Sequence, residues 1–207
     1  MNTTNPHHDA ERWRRLAEAA NFAVTIHAGQ TRKGPGGIPY IGHLLGVASL
    51  VLDHGGDEEQ AIAGLLHDAI EDAGIQQEAV IAERFGSRVV RIVRACTDAD
   101  TLPKPPWRER KKAYVAHLES VGSDALLVSA CDKLHNVRAI CTDLRNYGLA
   151  VYARFTGEQD GTLWYYRTLS ETFSRRLPGA LAVDLAEAVR EMERLTIRPT
   201  RAMAESG

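Results

Sequence analysis

The sequence has few cysteines and no long apolar run. Its three cysteines, Cys96, Cys131 and Cys141, are an odd number without close pairing, which fits a reducing compartment better than a disulfide framework. No segment approaches the roughly 18 uninterrupted apolar residues of a membrane-spanning helix. The polar stretch 1–9 and the mostly charged stretch 11–15 argue against a signal peptide. We therefore expect a cytoplasmic protein with no membrane partner.

A strong charge of either sign is also lacking. The 207 residues carry a formal net charge of -2, with 25% charged and 44% hydrophobic residues, which are ordinary values for a globular domain. This balance predicts no nucleic-acid polymer as a partner, so an anionic ligand must be held by a local basic patch. The length suits one domain, which we place at residues 1–197, with a flexible C-terminal tail at 198–207. Nothing in the pattern indicates an oligomeric state.

Apolar residues recur with helical spacing nearly throughout the chain, and no alternating strand pattern is present. Two loops interrupt the helices, at the Gly- and Pro-rich segment 34–39 and at 98–107, which contains three prolines. Asp57 and Gln60 have the spacing of a capping box and predict a helix that continues to Asp72. The pattern therefore predicts an all-α bundle of about ten helices.

The segment 65–72, LLHDAIED, carries a dense group of polar side chains directly after an apolar run. His67 and Asp68 lie about 100° apart on a helix and can bind one metal ion together. Glu71 and Asp72 follow them at four-residue spacing, so the four side chains share one face. For a bare His-Asp pair a solvated acidic face is the simpler interpretation, and only further ligand candidates favour the metal.

Two further ligand candidates lie elsewhere in the chain. His43 lies among apolar residues, where a lone histidine is more often a core residue than a ligand. Asp132 ends a strongly apolar stretch, and a buried carboxylate there requires a partner, which is Lys133, Arg138 or a metal ion. Asn136 lies one turn after Asp132 and can contact a ligand held by the metal.

Four short motifs follow one another along the first two thirds of the chain. They are GQTRK at 29–33, PYIGH at 39–43, HDAIED at 67–72 and DKLHN at 132–136. Each motif is weak alone, but the four in this order resemble the hydrolase domain of the RelA/SpoT family, and more closely its free-standing members, the small alarmone hydrolases. The resemblance covers residues 22–146 and implies an HD-domain helical bundle.

The resemblance also implies roles for the site residues. The implied metal ligands are His43, His67, Asp68 and Asp132, and the implied catalytic acids are Glu71 and Asp72. The implied substrate contacts are Arg32, Lys33, Tyr40, Lys104 and Asn136. The metal of the family is usually Mn²⁺, which suits two histidines and two carboxylates, with Fe²⁺ or Zn²⁺ as alternatives.

The activity implied by the resemblance is that of a metal-dependent pyrophosphohydrolase, which removes the 3′-pyrophosphate of ppGpp or pppGpp, a small-molecule nucleotide. Two alternatives keep the mechanism and change the substrate, to the adenine analogue ppApp or to the 2′-phosphate of NADPH. An alternative of another class is an inactive nucleotide-binding or antitoxin module. Chemically competent residues at every metal and catalytic position argue against the inactive module.

The remaining polar and aromatic residues receive simpler interpretations. We expect a solvated helix face for Arg108, Arg110, Lys111 and Lys112. Ordinary helix-face positions are expected for His27, His117 and His135. Core packing is expected for Trp164, Tyr165 and Tyr166.

Overall fold

A computed structural model describes residues 13–98 and 103–197. Within these ranges the chain is helical and has no strand, apart from an isolated antiparallel bridge between Thr31 and Pro39. The first helices are α1 (Arg14–Ile26), α2 (Ile41–Asp53), α3 (Glu58–Leu66), α4 (Ala69–Ala73) and α5 (Gln77–Phe85). They are followed by α6 (Ser87–Cys96), α7 (Trp107–Leu118), α8 (Ser123–Tyr147), a 3₁₀ helix (Gly148–Arg154), α9 (Glu158–Arg176) and α10 (Ala180–Ile197). The all-α prediction of about ten helices is confirmed, while the predicted tail 198–207 lies outside the described residues.

The helix predicted to continue to Asp72 is interrupted. The capping box at its start is present, with Asp57 and Gln60 each bonding the other's backbone amide. However, α3 ends at Leu66 and α4 begins at Ala69, so the prediction of one continuous helix is wrong. The His67 Nδ1–H donates to the carbonyl of Gly64 at 2.8 Å, the acceptor that the Asp68 amide would use in a continuous helix. The break therefore places the His-Asp pair at the junction of two helices.

The longest helix, α8, lies at the centre of the bundle and packs against α2, α3, α6 and α10. Helices α2 and α3 also pack closely on each other. Gly64 permits this approach, because a Cβ at that position would lie 3.2 Å from the Ala48 Cα. The packing of α2, α3 and α8 brings together three segments that lie far apart in the sequence. In the described part of the chain, no helix is both long and apolar enough to cross a membrane.

Candidate active site

Four side chains converge where α2, α8 and the α3–α4 junction meet. The His43 Nε2 lies 3.2 Å from Asp132 Oδ1 and 3.8 Å from Asp68 Oδ2. The His67 Nε2 lies 3.0 Å from the same Asp68 oxygen and 3.5 Å from the same Asp132 oxygen. The ligand atoms of His43, His67 and Asp68 all lie within 4.8 Å of one another. Two imidazoles and two carboxylates therefore face one shared point.

The hydrogen bonding of His67 shows that this point suits a cation. Because its Nδ1–H donates to a carbonyl, the Nε2 of a neutral ring carries only a lone pair. This Nε2 is buried and has no hydrogen-bond partner among the described residues, although it faces two carboxylate oxygens. Burial lowers the pKa of His67, but Asp68 and Asp132 outweigh burial and hold that pKa well above its ordinary value. The electrostatics that favour a proton here equally favour a divalent metal ion.

Asp132 is held by partners on both of its oxygens. Its Oδ2 accepts from Lys133 Nζ at 2.5 Å, and its Oδ1 accepts from Asn136 Nδ2 at 2.5 Å. Burial raises the pKa of Asp132, but the Lys133 ammonium and His67 hold it well below its usual range, so the carboxylate is ionised. Of the two amino-acid partners considered from the sequence, Lys133 pairs with Asp132, whereas Arg138 donates to Asp184 at 2.9 Å.

Tyr40 contacts a candidate metal ligand directly. Its hydroxyl donates to Asp68 Oδ2 at 2.5 Å, and the residue also lines the adjoining cavity. Burial raises the pKa of Asp68, but His67 outweighs it and leaves that pKa below the usual range. The sequence interpretation assigned Tyr40 to the nucleotide alone, and the structure adds a contact that orients Asp68.

The two predicted catalytic acids have different surroundings. Glu71 lines the cavity and accepts from Lys104 Nζ at 2.7 Å. Burial and the nearby Asp98 carboxylate raise the pKa of Glu71. Asp72 instead accepts from Gln30 Nε2 at 2.7 Å and is absent from the cavity lining. Glu71 is therefore the better placed of the two to act on a bound substrate.

Gln30 belongs to the first motif but received no role from the sequence. Its Oε1 lies 2.6 Å from His27 Nδ1, so the imidazole N–H donates to Gln30 while the Gln30 amide donates to Asp72. His27 is buried directly after the last residue of α1, and Gln30 is its polar partner. The position of Gln30 within the motif indicates a function, but its contact with Asp72 joins residues that lie far apart in the sequence.

The basic loop predicted to hold substrate borders the cavity. A backbone bond from Arg32 to Ile38, together with the bridge between Thr31 and Pro39, closes the loop into a short hairpin. The Arg32 Nη2 donates to Asn136 Oδ1 at 2.8 Å, and both residues line the cavity with Lys33. The Arg32 Nη1 is buried without a hydrogen-bond partner among the described residues, which leaves a donor for a ligand.

The expectation of a solvated basic face is wrong for Arg110 and Lys111. Both donate to the Asp98 carboxylate, which is only 6% exposed, and all three line the cavity. Lys111 shares its helix face with Tyr114 and Leu118, which are buried, and this spacing was a signal that it points inward. Lys112 is exposed as expected.

Two tyrosines of α9 and one further histidine lie beside the site. Tyr165 and Tyr166 are buried as expected for core residues, but they also line the cavity. His135 lies on α8 as expected, and its Nδ1 contacts the Nδ1 of His43. His117 is exposed on α7, as expected.

Comparison with known proteins defines the class of this site. The HD domain family matches residues 19–163, and the chain therefore belongs to that family. It is 43% identical over 131 residues to guanosine-3′,5′-bis(diphosphate) 3′-pyrophosphohydrolase MESH1 of Xenopus tropicalis, which covers 61% of this chain and 71% of the relative. The Homo sapiens protein of the same name is 40% identical over 131 residues, with the same coverage of both chains.

A solved structure shares the fold over most of the chain. It is described as a metazoan ortholog of SpoT that hydrolyzes ppGpp and plays a role in starvation responses. The TM-score is 0.70 at 26% identity, and the match covers 89% of this chain and 97% of the other. The family resemblance carried by the four sequence motifs is thus confirmed.

Proposed function

We propose that this chain is a metal-dependent pyrophosphohydrolase that removes the 3′-pyrophosphate of ppGpp or pppGpp. The observation that carries the proposal is the convergence of His43, His67, Asp68 and Asp132 beside a cavity that Glu71 also lines. The names of the relatives support the same substrate. A cation site next to an acid and a basic loop is an arrangement that can hydrolyse a phosphate ester.

Mn²⁺ is the metal we assign to the site. Two imidazoles and two carboxylates form a borderline-hard ligand set, which suits Mn²⁺ or Fe²⁺ better than a thiolate-rich zinc site. Cys96 lines the same cavity, but its sulfur is not among the ligand atoms that lie together at His43, His67 and Asp68. When bound, the divalent ion supplies a Lewis acid that acidifies water and polarises a phosphoryl oxygen.

The protein's own residues provide the remaining steps. Arg32 and Lys33 attract the phosphates, and the Arg32 guanidinium, held by Asn136, can stack on a base or fork onto a phosphate. Glu71 accepts a proton from the attacking water, because its raised pKa favours proton uptake. A new bond forms between the water oxygen and phosphorus, while the bond from phosphorus to the ribose 3′ oxygen breaks and that oxygen takes up the proton that Glu71 received from the water. The products are pyrophosphate and GDP from ppGpp, or GTP from pppGpp.

The test is a substrate panel on metal-stripped protein, with and without added Mn²⁺. We expect GDP and pyrophosphate from ppGpp only when Mn²⁺ is present, and no turnover by the His67→Ala, Asp68→Ala double variant. Turnover of ppApp, or orthophosphate release from NADPH, in place of ppGpp hydrolysis would move the chain to one of the alternative substrates. No turnover of any nucleotide would favour the inactive binding module.

A further inference from the structure

We propose that His135 is a positioning residue for the metal ligand His43, and that Gly46 provides the space that seats its ring. This inference rests on the proposed metal site but assigns a residue that the proposed function does not use. His135 is absent from the cavity lining, so any effect it has on the site must pass through a neighbour.

The contact between the two imidazoles limits the positions of their protons. The His43 Nδ1 lies 3.0 Å from the His135 Nδ1, and the ring centroids are 4.9 Å apart. Two nitrogens at this distance require one donor and one acceptor. The other nitrogen of His43, Nε2, faces the carboxylates of Asp68 and Asp132. If Nε2 offers its lone pair to a cation there, the proton of the neutral ring must be on Nδ1.

It follows that His43 donates and His135 accepts. His135 then carries its own proton on Nε2 and presents a lone pair on Nδ1 to His43. Partners of this kind fix the tautomer and the orientation of a metal-binding histidine, and losing one typically weakens metal binding about 10- to 100-fold. His67 shows the same arrangement, because its Nδ1–H donates to the Gly64 carbonyl. The Nδ1–H of each of the two imidazole ligands thus donates to an acceptor.

The ring of His135 occupies space that only a glycine leaves open. A Cβ at Gly46 would lie 2.3 Å from His135 Nε2 and 2.5 Å from its Cδ2. Gly46 lies one turn after His43 on α2, and His135 lies one turn after Asp132 on α8. The ring is therefore held between the backbone of α2 and the imidazole of His43, at the contact between the two helices that carry metal ligands.

The experiment measures Mn²⁺ affinity by titration calorimetry in the absence of nucleotide, with the melting temperature recorded for each variant. His135→Phe keeps a planar ring but has no acceptor, and we expect its Mn²⁺ affinity to fall about 10- to 100-fold. His135→Asn offers an amide oxygen near the position of Nδ1, and we expect it to stay within a few-fold of the unmodified protein. This rescue separates an acceptor role from simple packing.

Gly46→Ala tests whether the His135 ring needs the space beside Gly46, and Gly42→Ala is the matched control. Both glycines lie on α2, but a Cβ at Gly42 would meet nothing within 4 Å. We expect Gly46→Ala to weaken Mn²⁺ binding, Gly42→Ala to leave it unchanged, and Gly46→Ala added to His135→Phe to cause little further loss.

Two results would overturn the inference in distinguishable ways. If the unmodified protein does not bind Mn²⁺, the metal site fails and the role of His135 fails with it. If the unmodified protein binds Mn²⁺ and His135→Phe binds it equally well, the role of His135 alone is refuted.

Discussion

The ion pair between Lys104 and Glu71 allows a sharp test of the catalytic assignment. The Lys104 Nζ lies 2.7 Å from Glu71 Oε1, and the two side chains are 34% and 23% exposed. Burial and the Asp98 carboxylate raise the pKa of Glu71, whereas Lys104 acts in the opposite direction and lowers it. Replacing Lys104 with alanine removes the opposing cation, so the pKa of Glu71 should rise further.

The size of the effect follows from the partial exposure of the pair. A fully exposed ion pair contributes roughly 0.2–1 kcal/mol, and a hydrogen bond to a charged group contributes roughly 1.5–3 kcal/mol. A partly exposed pair lies between these ranges, at about 1 kcal/mol. Glu71 must be ionised to accept a proton, so a raised pKa moves the acidic limb of the kcat profile to higher pH. Above that limb, kcat should approach that of the unmodified enzyme.

The assay is steady-state hydrolysis of ppGpp by Lys104→Ala across the acidic limb, with kcat and KM fitted separately at each pH. Lys112→Ala is the control, because Lys112 is an exposed lysine nearby that is absent from the cavity lining. An unmoved acidic limb would refute the coupling of Lys104 to Glu71. A rise in KM without any movement of the limb would instead support the phosphate contact that the sequence predicts for Lys104.

Three further outcomes test the other site residues. The His67→Ala, Asp68→Ala double variant should lose bound metal, and elemental analysis showing full occupancy would contradict the ligand assignment. Glu71→Gln should retain Mn²⁺ and nucleotide binding but lose about 10²- to 10⁴-fold in kcat; turnover at the unmodified rate would exclude Glu71 as the base. Lys33→Ala should raise KM roughly 10- to 150-fold, the equivalent of a charge-assisted contact of about 1.5–3 kcal/mol, without a change in metal content. Arg32→Lys should also raise KM, because lysine keeps the charge but not the planar fork. Unchanged KM values in both variants would indicate that the loop is solvated and does not contact the substrate.

The sequence was sufficient for the features that depend on local spacing. Helical periodicity predicts the helices, and the capping box at Asp57 and Gln60 is present. The four motifs contain the donors that converge, because each motif places its polar residues within a turn or two of the chain. Local spacing does not join His43, His67 and Asp132, and they are proposed together because the four motifs in order resemble the small alarmone hydrolases.

Features that depend on long-range contacts could not be predicted in the same way. The helical spacing of Lys111 indicates that it points inward, but its pairing with the buried carboxylate of Asp98 follows only from the packed structure. The pairing of His135 with His43 joins positions 92 residues apart and follows only from the packing of α8 on α2. At the interruption the His67 side chain bonds a carbonyl of its own helix, a contact that apolar periodicity does not predict.

The pairing of Asp132 with Lys133 bears on how an anionic substrate can approach the site. Asp68 and Asp132 bring two negative charges to the metal position, and the Lys133 ammonium, bonded to Asp132, balances one of them. The neutral hydroxyl of Tyr40 bonds Asp68 without altering this charge. Two carboxylates and one ammonium leave a single negative charge, and binding of a divalent cation turns this into a single positive one. Without Lys133, a divalent ion and its two carboxylate ligands would sum to zero, so the lysine would make the metal position attractive to a polyphosphate before Arg32 adds its own charge.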